Sequence, residues 1–276
     1  MNPPQTLGCV VITGSSKGIG FALADAFLQL GYPVVISGRH LEALNIARQK
    51  LNQKFSTQQL HAVCCDVTSQ DAALQLWHEA IQHFEHVTIW INNAGSCTAS
   101  LDFIDIPPKD ITQVIHTNVI GSMLGAQVAL KNMLQQGHGQ IFNMEGWGSH
   151  GEWSHGMTVY STSKAAIHYF SKALYKEARG SKIQVGTLSP GMVTTELLIS
   201  SWTQGNPKHW NQMKRLFKFI IDPPETVASY LAQQMIQNQK MHSRIAWMTP
   251  WRLLMRFFRP YYWRRNPLKD TDLDHF

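Results

Sequence analysis

The chain has 276 residues, and its hydrophobic content of 44% can fill the core of one large α/β domain or two small ones. Four cysteines without a CxxC spacing predict reduced core thiols in a cytosol-like compartment, which excludes a disulfide-stapled fold. The net charge of +6 comes without a recognised nucleic-acid-reading module, so we expect no nucleic-acid partner.

Short β-branched runs alternate along the chain with longer segments that carry apolar residues at helical spacing. The predicted buried strands are residues 9–14, 32–38, 60–67, 87–95, 139–144 and 182–191. The predicted helices between them include residues 21–30, 71–84, 109–136 and 159–179. This alternation predicts an α/β fold with a doubly wound (Rossmann) parallel sheet and helices on both faces.

We predict a single domain over residues 1–276. Its core spans 7–195, a helical region at 196–248 covers the substrate, and a basic aromatic tail occupies 249–276. The helical region follows a late strand, and in a doubly wound fold such an insertion lies beyond the carboxyl ends of the strands, where ligands bind.

The first predicted strand runs into "TGSSKGIG", which opens the first predicted helix. Gly14, Gly18 and Gly20 permit a tight turn, and the following helix can present its N-terminal amides to a pyrophosphate. A glycine triplet alone is weak evidence, so a strand-to-helix turn without a ligand is the alternative. The context of strand, loop and helix favours a dinucleotide site.

The end of the second strand, "VVISGRH", distinguishes the two nicotinamide dinucleotides. An NAD-selective site usually carries an acidic residue here for the ribose 2′-hydroxyl. This chain has Ser37 and Arg39 instead. Arg39, helped by Ser37 and by Lys17 in the glycine loop, suits a phosphate dianion. We therefore predict NADPH as the cofactor.

The third and fourth predicted strands also end in candidate cofactor residues. "CDVTS" places Asp66 and Val67 where the adenine is expected, and "NNAG" places Asn92, Ala94 and Gly95 beside the cofactor. Because the carboxyl ends of parallel strands share one edge of the sheet, cofactor and chemistry should meet there.

A tyrosine and a lysine four residues apart, in "YSTSK", lie on the predicted helix 159–179. This pair, Tyr160 and Lys164, shares one helix face and suggests proton transfer. Enzymes with such a pair usually place a serine about a dozen residues before the tyrosine to hold the substrate carbonyl. The corresponding region, "NMEGWGSHG", has no serine at the expected point.

The chain closes on "WRLLMRFFRPYYWRR" at residues 251–265. On a helix Arg252, Arg256 and Arg259 would share one face. One interpretation is a closing helix packed on the core with solvated arginines, and the other is a surface for membrane lipid or a lipophilic ligand. No export signal is visible, and no apolar stretch approaches the roughly 20 residues that span a bilayer, so we expect a soluble or peripheral protein in the cytoplasm.

Five motifs together resemble the short-chain dehydrogenase/reductase family over about residues 7–195. They are "TGSSKGIG", "NNAG", Asn118 in "HTNVIGS", "YSTSK" and "SPGMV", in the family's order and approximate spacing. The resemblance implies that Tyr160 gives its phenolic proton to a carbonyl oxygen as hydride arrives from the nicotinamide. It also implies that Lys164 stabilises the phenolate and binds the nicotinamide ribose, and that Asn118 holds a water in the proton relay.

The resemblance implies further cofactor contacts from Ser16, Ile19, Pro190, Gly191, Val193 and Thr195. It also implies a homo-oligomer built on the Tyr160 helix and its neighbour.

The missing serine leaves several alternatives open. The usual position falls on Glu145 or Gly146, and Ser149 is the nearest hydroxyl, so Ser149 is the preferred catalytic candidate. Ser154 is a weaker candidate. The remaining possibility is that no serine acts, and that a protonated Glu145 or a water takes its role.

The region that departs from the usual family pattern resembles one branch of the family, the chlorophyll b reductases. "IFNMEGWGSHG", "LSPGMVTTELL", "DPPETVASYL" and the basic aromatic tail are similar to that branch. The similarity implies reduction of the 7-formyl group of chlorophyll b, or of chlorophyllide b, to hydroxymethyl, on a pigment from thylakoid membranes. It therefore implies a peripheral location on that membrane.

Two other functions stay open from the sequence. One is reduction of another lipophilic ketone or aldehyde, such as a lipid or retinoid. The other is a catalytically silent NADPH-binding protein at a membrane. No tight ligand cluster is visible, so we predict no metal site, although His150 or His155 could meet the magnesium of a chlorophyll instead of being a polar loop residue.

Overall fold

A computed structural model describes residues 8–269 and 271–273. Seven parallel strands form one sheet in the order β3-β2-β1-β4-β5-β6-β9. These strands are β1 (Cys9–Ile12), β2 (Val34–Gly38), β3 (Leu60–Cys64), β4 (Val87–Asn92), β5 (Gly139–Met144), β6 (Ile183–Ser189) and β9 (His242–Ala246). Two short strands, β7 (Met192–Val193) and β8 (Ile221–Asp222), pair separately beyond the sheet.

Helices cover both faces of the sheet and continue into the C-terminal region. They are α1 (Gly18–Gln29), α2 (Leu41–Asn52), α3 (Gln70–Phe84), α4 (Pro108–Ile115), α5 (Gly121–Gln136), α6 (Thr158–Glu177), α7 (Glu196–Thr203), α8 (Pro207–Ile220), α9 (Pro224–Ile236), α10 (Pro250–Phe257) and α11 (Pro260–Arg264). The predicted doubly wound α/β fold is confirmed, because every neighbouring pair of strands in the large sheet is parallel and helices pack on both of its faces.

Two apolar layers hold the sheet, one on each face. Helices α1, α2 and α9 pack on one side, with Phe27 and Leu231 fully buried. On the other side α3, α5 and α6 meet the sheet, and the Trp77 ring lies 6.1 Å from that of Trp90 on β4. The central strands are buried on both faces, which explains why they read as continuous β-branched runs in the sequence.

One strand of the sheet was absent from the sequence-based prediction. The strand β9 lies in the region that was predicted to be helical, and it pairs in parallel with β6 at the edge of the sheet. Its sequence, "HSRIA", is polar because most of its side chains are at least partly exposed. A buried-strand pattern therefore could not reveal it.

The C-terminal helices form a separate apolar cluster beyond the sheet. Its buried side chains are Trp202, Trp210, Phe217, Phe219, Ile220, Ile221, Leu268 and Leu273. Helices α7 and α8 supply most of them, and Leu253 of α10 and Tyr262 of α11 pack against the same cluster. The described residues of the segment 249–276 thus pack against the helices that follow β6.

A buried carboxylate at the end of β8 anchors this segment. Asp222 accepts hydrogen bonds from Arg256 Nη2 at 2.6 Å, Arg265 Nη1 at 3.0 Å and Trp247 Nε1 at 2.7 Å. Both Arg256 and Asp222 are almost fully buried. Because two guanidinium groups surround this one carboxylate, the negative charge of Asp222 is compensated inside the protein.

Two of the three arginines predicted to share one face of the tail helix turn toward the protein, which corrects the expectation that they are solvated. Arg256 points into the protein, and the Arg252 guanidinium lies 4.2 Å from the Trp247 ring and 4.8 Å from the Tyr230 ring. Arg259 remains exposed. Ion pairing and cation–π contacts draw two of the three arginines inward, which the spacing of charges along the helix could not reveal.

None of the helices in the described ranges combines the length and hydrophobicity that crossing a bilayer requires.

We predict that Asp222→Asn lowers the free energy of unfolding by about 3 kcal/mol, because it leaves two partly or fully buried guanidinium groups without their carboxylate. Urea denaturation followed by circular dichroism measures this change. Asp105→Asn, on an exposed turn, is the matched control and should shift stability by less than about 0.5 kcal/mol. Equal stability of the two variants would contradict the anchoring role of Asp222.

Candidate active site

A cleft of about 500 Å³ opens at the carboxyl ends of β1, β2, β4, β5 and β6, and α7 closes its outer side. Of the residues predicted to contact a cofactor, all but Ser37 and Asn92 line this cleft. Tyr160 and Lys164 line it as well. The motifs scattered through the sequence therefore meet in one cavity, as the parallel topology requires.

The glycine turn between β1 and α1 is shaped by close packing. Gly14 and Gly18 have φ values of +61° and +60°, which favour glycine. A Cβ on Gly14 would lie 2.6 Å from Ala94 Cα, and one on Gly20 would lie 2.4 Å from Asn93 Nδ2. No side chain caps α1, so its first N–H groups stay available to an anion in the cleft.

Two predicted cofactor contacts are not on the cleft wall. The Ser37 side chain is fully buried, and its hydroxyl donates to Ile12 O at 3.3 Å. The Asn92 side chain accepts from Trp90 Nε1 at 2.8 Å and donates to Asn143 Oδ1 at 2.8 Å. Side chains alternate along a strand, so the neighbouring residues Gly38 and Asn93 line the cleft instead.

Charged residues occupy the rim at the ends of β2 and β3. Arg39 lines the cleft, and its Nε lies 3.1 Å from His40 Nε2. Hydrogen bonds from the amide and hydroxyl of Thr68, with a smaller contribution from the Arg39 charge, hold the pKa of Asp66 below its usual value. A carboxylate and a guanidinium thus share this rim.

An exposed ion pair crosses the cleft from the glycine turn to α7. Lys17 Nζ lies 2.7 Å from Glu196 Oε2, and both side chains are mostly solvated. Such a pair contributes little stability, so Lys17 can exchange Glu196 for another anion at low cost.

Tyr160 and Lys164 lie on the first turns of α6 and face the cleft. The Lys164 Nζ donates to Met144 O at 3.0 Å and lies 5.6 Å from the Tyr160 ring centroid. Burial raises the pKa of Tyr160 well above its usual value, and the nearby Cys97 adds to this rise. Burial also lowers the pKa of Lys164 to about 8. The phenol therefore keeps its proton at neutral pH, as a proton donor must.

Asn118 does not itself line the cleft, but it holds Ser96, which does. It lies in a π-helical turn, His116–Ile120, between α4 and α5. Its side chain accepts from Ser96 N at 2.8 Å and donates to Ser163 Oγ at 2.9 Å. Asn118 therefore clamps the loop after β4 to helix α6, and its part in a proton relay stays a prediction.

The sequence model of the short chain dehydrogenase family matches residues 8–206. The chain belongs to this family. Among curated relatives, it is 35% identical to a probable chloroplastic chlorophyll(ide) b reductase of Oryza sativa subsp. japonica, over 89% of this chain and 51% of the relative. It is 36% identical to a chloroplastic chlorophyll(ide) b reductase of Arabidopsis thaliana, over 84% of this chain and 65% of the relative. The chain thus spans about half to two thirds of the length of these relatives, and the predicted family is confirmed.

Solved structures show the same fold. A short-chain type dehydrogenase/reductase from Mycobacterium marinum superposes with a TM-score of 0.73 at 26% identity, covering 87% of this chain and 93% of the other. An actinorhodin polyketide ketoreductase solved with NADPH gives a TM-score of 0.75 at 23% identity, over 88% and 97% of the two chains.

Gly146 lies next to the hydroxyl group of Tyr160, the tyrosine of the YxxxK motif. A Cβ on Gly146 would lie 2.4 Å from Tyr160 Oη and 3.1 Å from Lys164 Cγ. Hence even a methyl group at residue 146 would displace the phenol. The packing around Tyr160 therefore leaves no room for a serine side chain at residue 146.

Ser149 does not line the cleft. Its buried hydroxyl accepts from Gly146 N at 3.1 Å and donates to Lys164 O at 3.3 Å. Ser154 lies on the loop beyond and its hydroxyl donates to His155 O at 3.4 Å. The geometry therefore gives Ser149 a bracing position behind Gly146 instead of the expected position at the substrate carbonyl.

Glu145 carries a buried charge at the wall of the cleft. Its carboxylate accepts from Arg244 Nε at 2.8 Å, His168 Nδ1 at 3.0 Å and His150 Nε2 at 3.2 Å. Burial by itself would raise its pKa, but the hydrogen bonds from Arg244, His168 and His150 outweigh burial and lower it. Glu145 is therefore ionised at neutral pH, which argues against a protonated Glu145 as the substitute for serine.

Cys97 is a cleft residue that the sequence did not single out. It lines the cavity near Tyr160 and Lys164, and burial raises the pKa of its thiol to about 12. The prediction that all cysteines are core thiols is thus only partly right, because Cys64 is exposed as well. No motif marked Cys97 because it follows the "NNAG" signature inside a loop.

The structure brings histidines together in clusters that the sequence did not indicate. His150 joins Glu145 and His168, and His155 joins Asp102 and His209, with potential ligand atoms within 4.8 Å of one another in each group. In the first group Arg244 already neutralises the carboxylate. The histidines of the active-site loop therefore have protein partners.

We predict that Glu145→Gln lowers the free energy of unfolding at pH 7 by about 2 kcal/mol. Because the pKa of Glu145 is lower in the folded than in the unfolded chain, its stabilisation is complete above the usual pKa of 4.5. It is then lost as the pH falls through the lower folded value. Urea titrations between neutral and acidic pH should show a shallower acid loss for Glu145→Gln than for wild type.

The matched control is Glu42→Gln on an exposed turn of α2, which should keep the wild-type pH profile. A Glu145→Gln profile parallel to that of wild type would mean that the Glu145 carboxylate does not drive the acid loss.

Proposed function

We propose that this protein is an NADPH-dependent reductase of a lipophilic carbonyl compound, and that its substrate is the 7-formyl group of chlorophyll b or chlorophyllide b. The observation that carries the reaction type is the pair of half-buried Tyr160 and buried Lys164 on the wall of a dinucleotide-type cleft. The identity of 33–36% to chlorophyll(ide) b reductases supports the substrate class.

The cleft residues fit a nicotinamide dinucleotide. The uncapped start of α1 suits a pyrophosphate. Asn93 Oδ1 and Ser96 Oγ are buried atoms of cleft-lining residues, and neither has a hydrogen-bond partner within the described chain. When bound, the cofactor supplies the hydride.

The rim at the end of β2 supports NADPH over NADH. Arg39 lies on the cleft wall, and β2 ends in serine and glycine instead of a carboxylate. Arg39 and the releasable Lys17 are the cations that would bind a 2′-phosphate.

Tyr160 and Lys164 then divide the proton chemistry. Tyr160 holds its proton at neutral pH and gives it to the carbonyl oxygen, so that the formyl carbon gains a hydride and the oxygen a proton. The Lys164 ammonium, fixed by Met144 O, stabilises the resulting phenolate. Asn118 keeps α6 in register with the loop after β4 while this happens.

The substrate end of the cleft is apolar. Trp147, Met157, Leu197 and Leu198 line it. Nearby loops also present apolar side chains to solvent, and Ile104 is 90% exposed and Trp153 71% exposed. These surfaces suit a large apolar ring system that remains partly outside the cavity.

We also propose that no serine contacts the substrate carbonyl. The Ser149 hydroxyl already has an acceptor and a donor, and Gly146 occupies the space next to the phenol. Tyr160 therefore acts with a bound water or by itself.

A single-turnover assay tests the proposed reaction. Purified protein, NADPH and chlorophyllide b are mixed, and the hydroxymethyl product is separated by chromatography. Product formation by wild type supports the proposal. No product despite measured NADPH binding would exclude this substrate, and a panel of lipid and retinoid carbonyls would then separate another reductase from a silent binding protein.

We predict that Tyr160→Phe lowers the single-turnover rate at least about a thousandfold while the Kd for NADPH changes less than about threefold, since only the transferable proton is lost. Ser149→Ala should retain turnover within about tenfold and lose stability instead. A loss of about a hundredfold or more in Ser149→Ala with unchanged stability would show that Ser149 binds the carbonyl after all.

We predict that Arg39→Asp raises the Kd for NADPH at least about tenfold and that for NADH by less than about threefold, because a carboxylate repels the 2′-phosphate. Fluorescence titration with each dinucleotide measures both constants. Arg48→Asp, an exposed arginine of α2 outside the cleft, is the charge-matched control. If Arg39→Asp raised the Kd for NADPH and the Kd for NADH equally, a residue other than Arg39 would recognise the 2′-phosphate.

A further inference from the structure

The segment that contains α10 and α11 exposes most of its aromatic side chains to solvent. The aromatic face, as we call it, consists of Trp251, Leu254, Phe258, Tyr261 and Trp263. Of these, Phe258 is 73% exposed, Trp251 69% and Tyr261 67%. So many large apolar groups within 13 residues form the kind of patch that marks an interaction site on a folded protein.

The orientation of this face is fixed from beneath. Arg256 is held by Asp222 and by Phe219 O at 2.7 Å, and Arg252 is held against the Trp247 and Tyr230 rings. With these arginines turned inward, the opposite side of α10 must face out. The contacts of Arg252 and Arg256 therefore keep the aromatic residues exposed, because a rotation of α10 that buried the rings would break these contacts.

The aromatic face is continuous with the cleft through the protein interior. The Phe219 ring packs 4.5 Å from Phe257 and 4.9 Å from Trp263. Phe219 belongs to the C-terminal apolar cluster, and Leu198, which packs on the same cluster, also lines the cleft. The aromatic face and the cleft wall are thus connected through one apolar cluster.

We propose that the aromatic face docks on the interface of a lipid bilayer that contains anionic lipid. Tryptophan and tyrosine combine an apolar ring with a polar hydrogen-bonding group, a combination that suits the headgroup level of a membrane. The exposed Arg259 and Arg264 flank these rings and complement anionic headgroups. With 8 and 5 residues, α10 and α11 lie in the plane of the interface and do not cross it.

The proposed contact differs from the one that the sequence suggested, in which a basic helix binds lipid through its arginines. Here the inner arginines hold the fold, and the aromatic rings make the contact. The proposal does not rest on the identity of the substrate, because the surface is built outside the cleft.

Flotation with pigment-free vesicles tests the proposal. Vesicles of phosphatidylcholine alone are compared with vesicles that also contain phosphatidylglycerol. Wild type should float with the anionic vesicles and bind the neutral ones more weakly. Trp251→Ser combined with Phe258→Ser should lower the vesicle partition coefficient at least about tenfold, because two exposed rings are removed.

The matched control combines Leu41→Ser and Ile46→Ser on α2, which removes two exposed apolar side chains from another surface. This variant should bind vesicles like wild type. A charge variant, Arg259→Glu with Arg264→Glu, should lose the preference for anionic lipid. All variants change exposed side chains, and circular dichroism together with NADPH binding confirms that each is folded.

A second readout is tryptophan fluorescence. Brominated lipids should quench tryptophan fluorescence on binding, and Trp251→Ser should reduce this quenching. Failure of wild type to bind either kind of vesicle would overturn the proposal. If sedimentation then shows that Trp251→Ser with Phe258→Ser dissociates an oligomer, the aromatic face is a contact between copies of the chain. Because no pigment or turnover is involved, neither result bears on the proposed reaction.

Discussion

The buried carboxylate of Glu145 joins three separate parts of the molecule. It stands just after β5 and accepts hydrogen bonds from the edge strand β9, from helix α6, which carries Tyr160 and Lys164, and from the loop that follows β5. A buried charge is tolerated only where partners surround it, so each of these segments is held in one position. Gly146 follows directly in the chain, and its contact with the Tyr160 hydroxyl depends on this alignment.

Asp222 uses the same chemistry at the other end of the molecule. It draws Arg256 and Arg265 inward and thereby attaches the last helices to the cluster that closes the cleft. Both carboxylates are paired with arginines that are distant in the chain, and both pairings determine which neighbouring surface is exposed. At Asp222 that surface is aromatic. The same interaction that stabilises the C-terminal segment therefore creates the proposed membrane contact.

Neither Ser149 nor Ser154 lines the cleft beside Tyr160. Space beside the phenol is taken by the backbone of Gly146, and the nearest hydroxyl, Ser149, is used to brace that backbone. Burial keeps the proton on Tyr160 and weakens the hold of Lys164 on its own proton. Burial thus keeps Tyr160 protonated but disfavours its phenolate, so the nearby Lys164 charge is what would stabilise that phenolate.

The sequence by itself determined six of the seven strands of the large sheet, the glycine turn and the shared helix face of Tyr160 and Lys164. These features depend on local patterns: buried strands are β-branched runs, the turn needs glycines at positive φ, and Tyr160 and Lys164 are one helical turn apart.

Only the tertiary structure decided the rest. The exposed polar strand β9 had no local pattern, and whether Ser37 or its neighbour faces the cleft depends on the pleat of a completed sheet. The roles of Ser149 and Glu145, and the direction of the tail arginines, depend on partners such as Lys164, Arg244 and Asp222 that lie up to 99 residues away in the chain. Pairings over such separations leave no periodic trace in a single sequence, because hydrogen bonds and buried charges are satisfied in space and not along the chain.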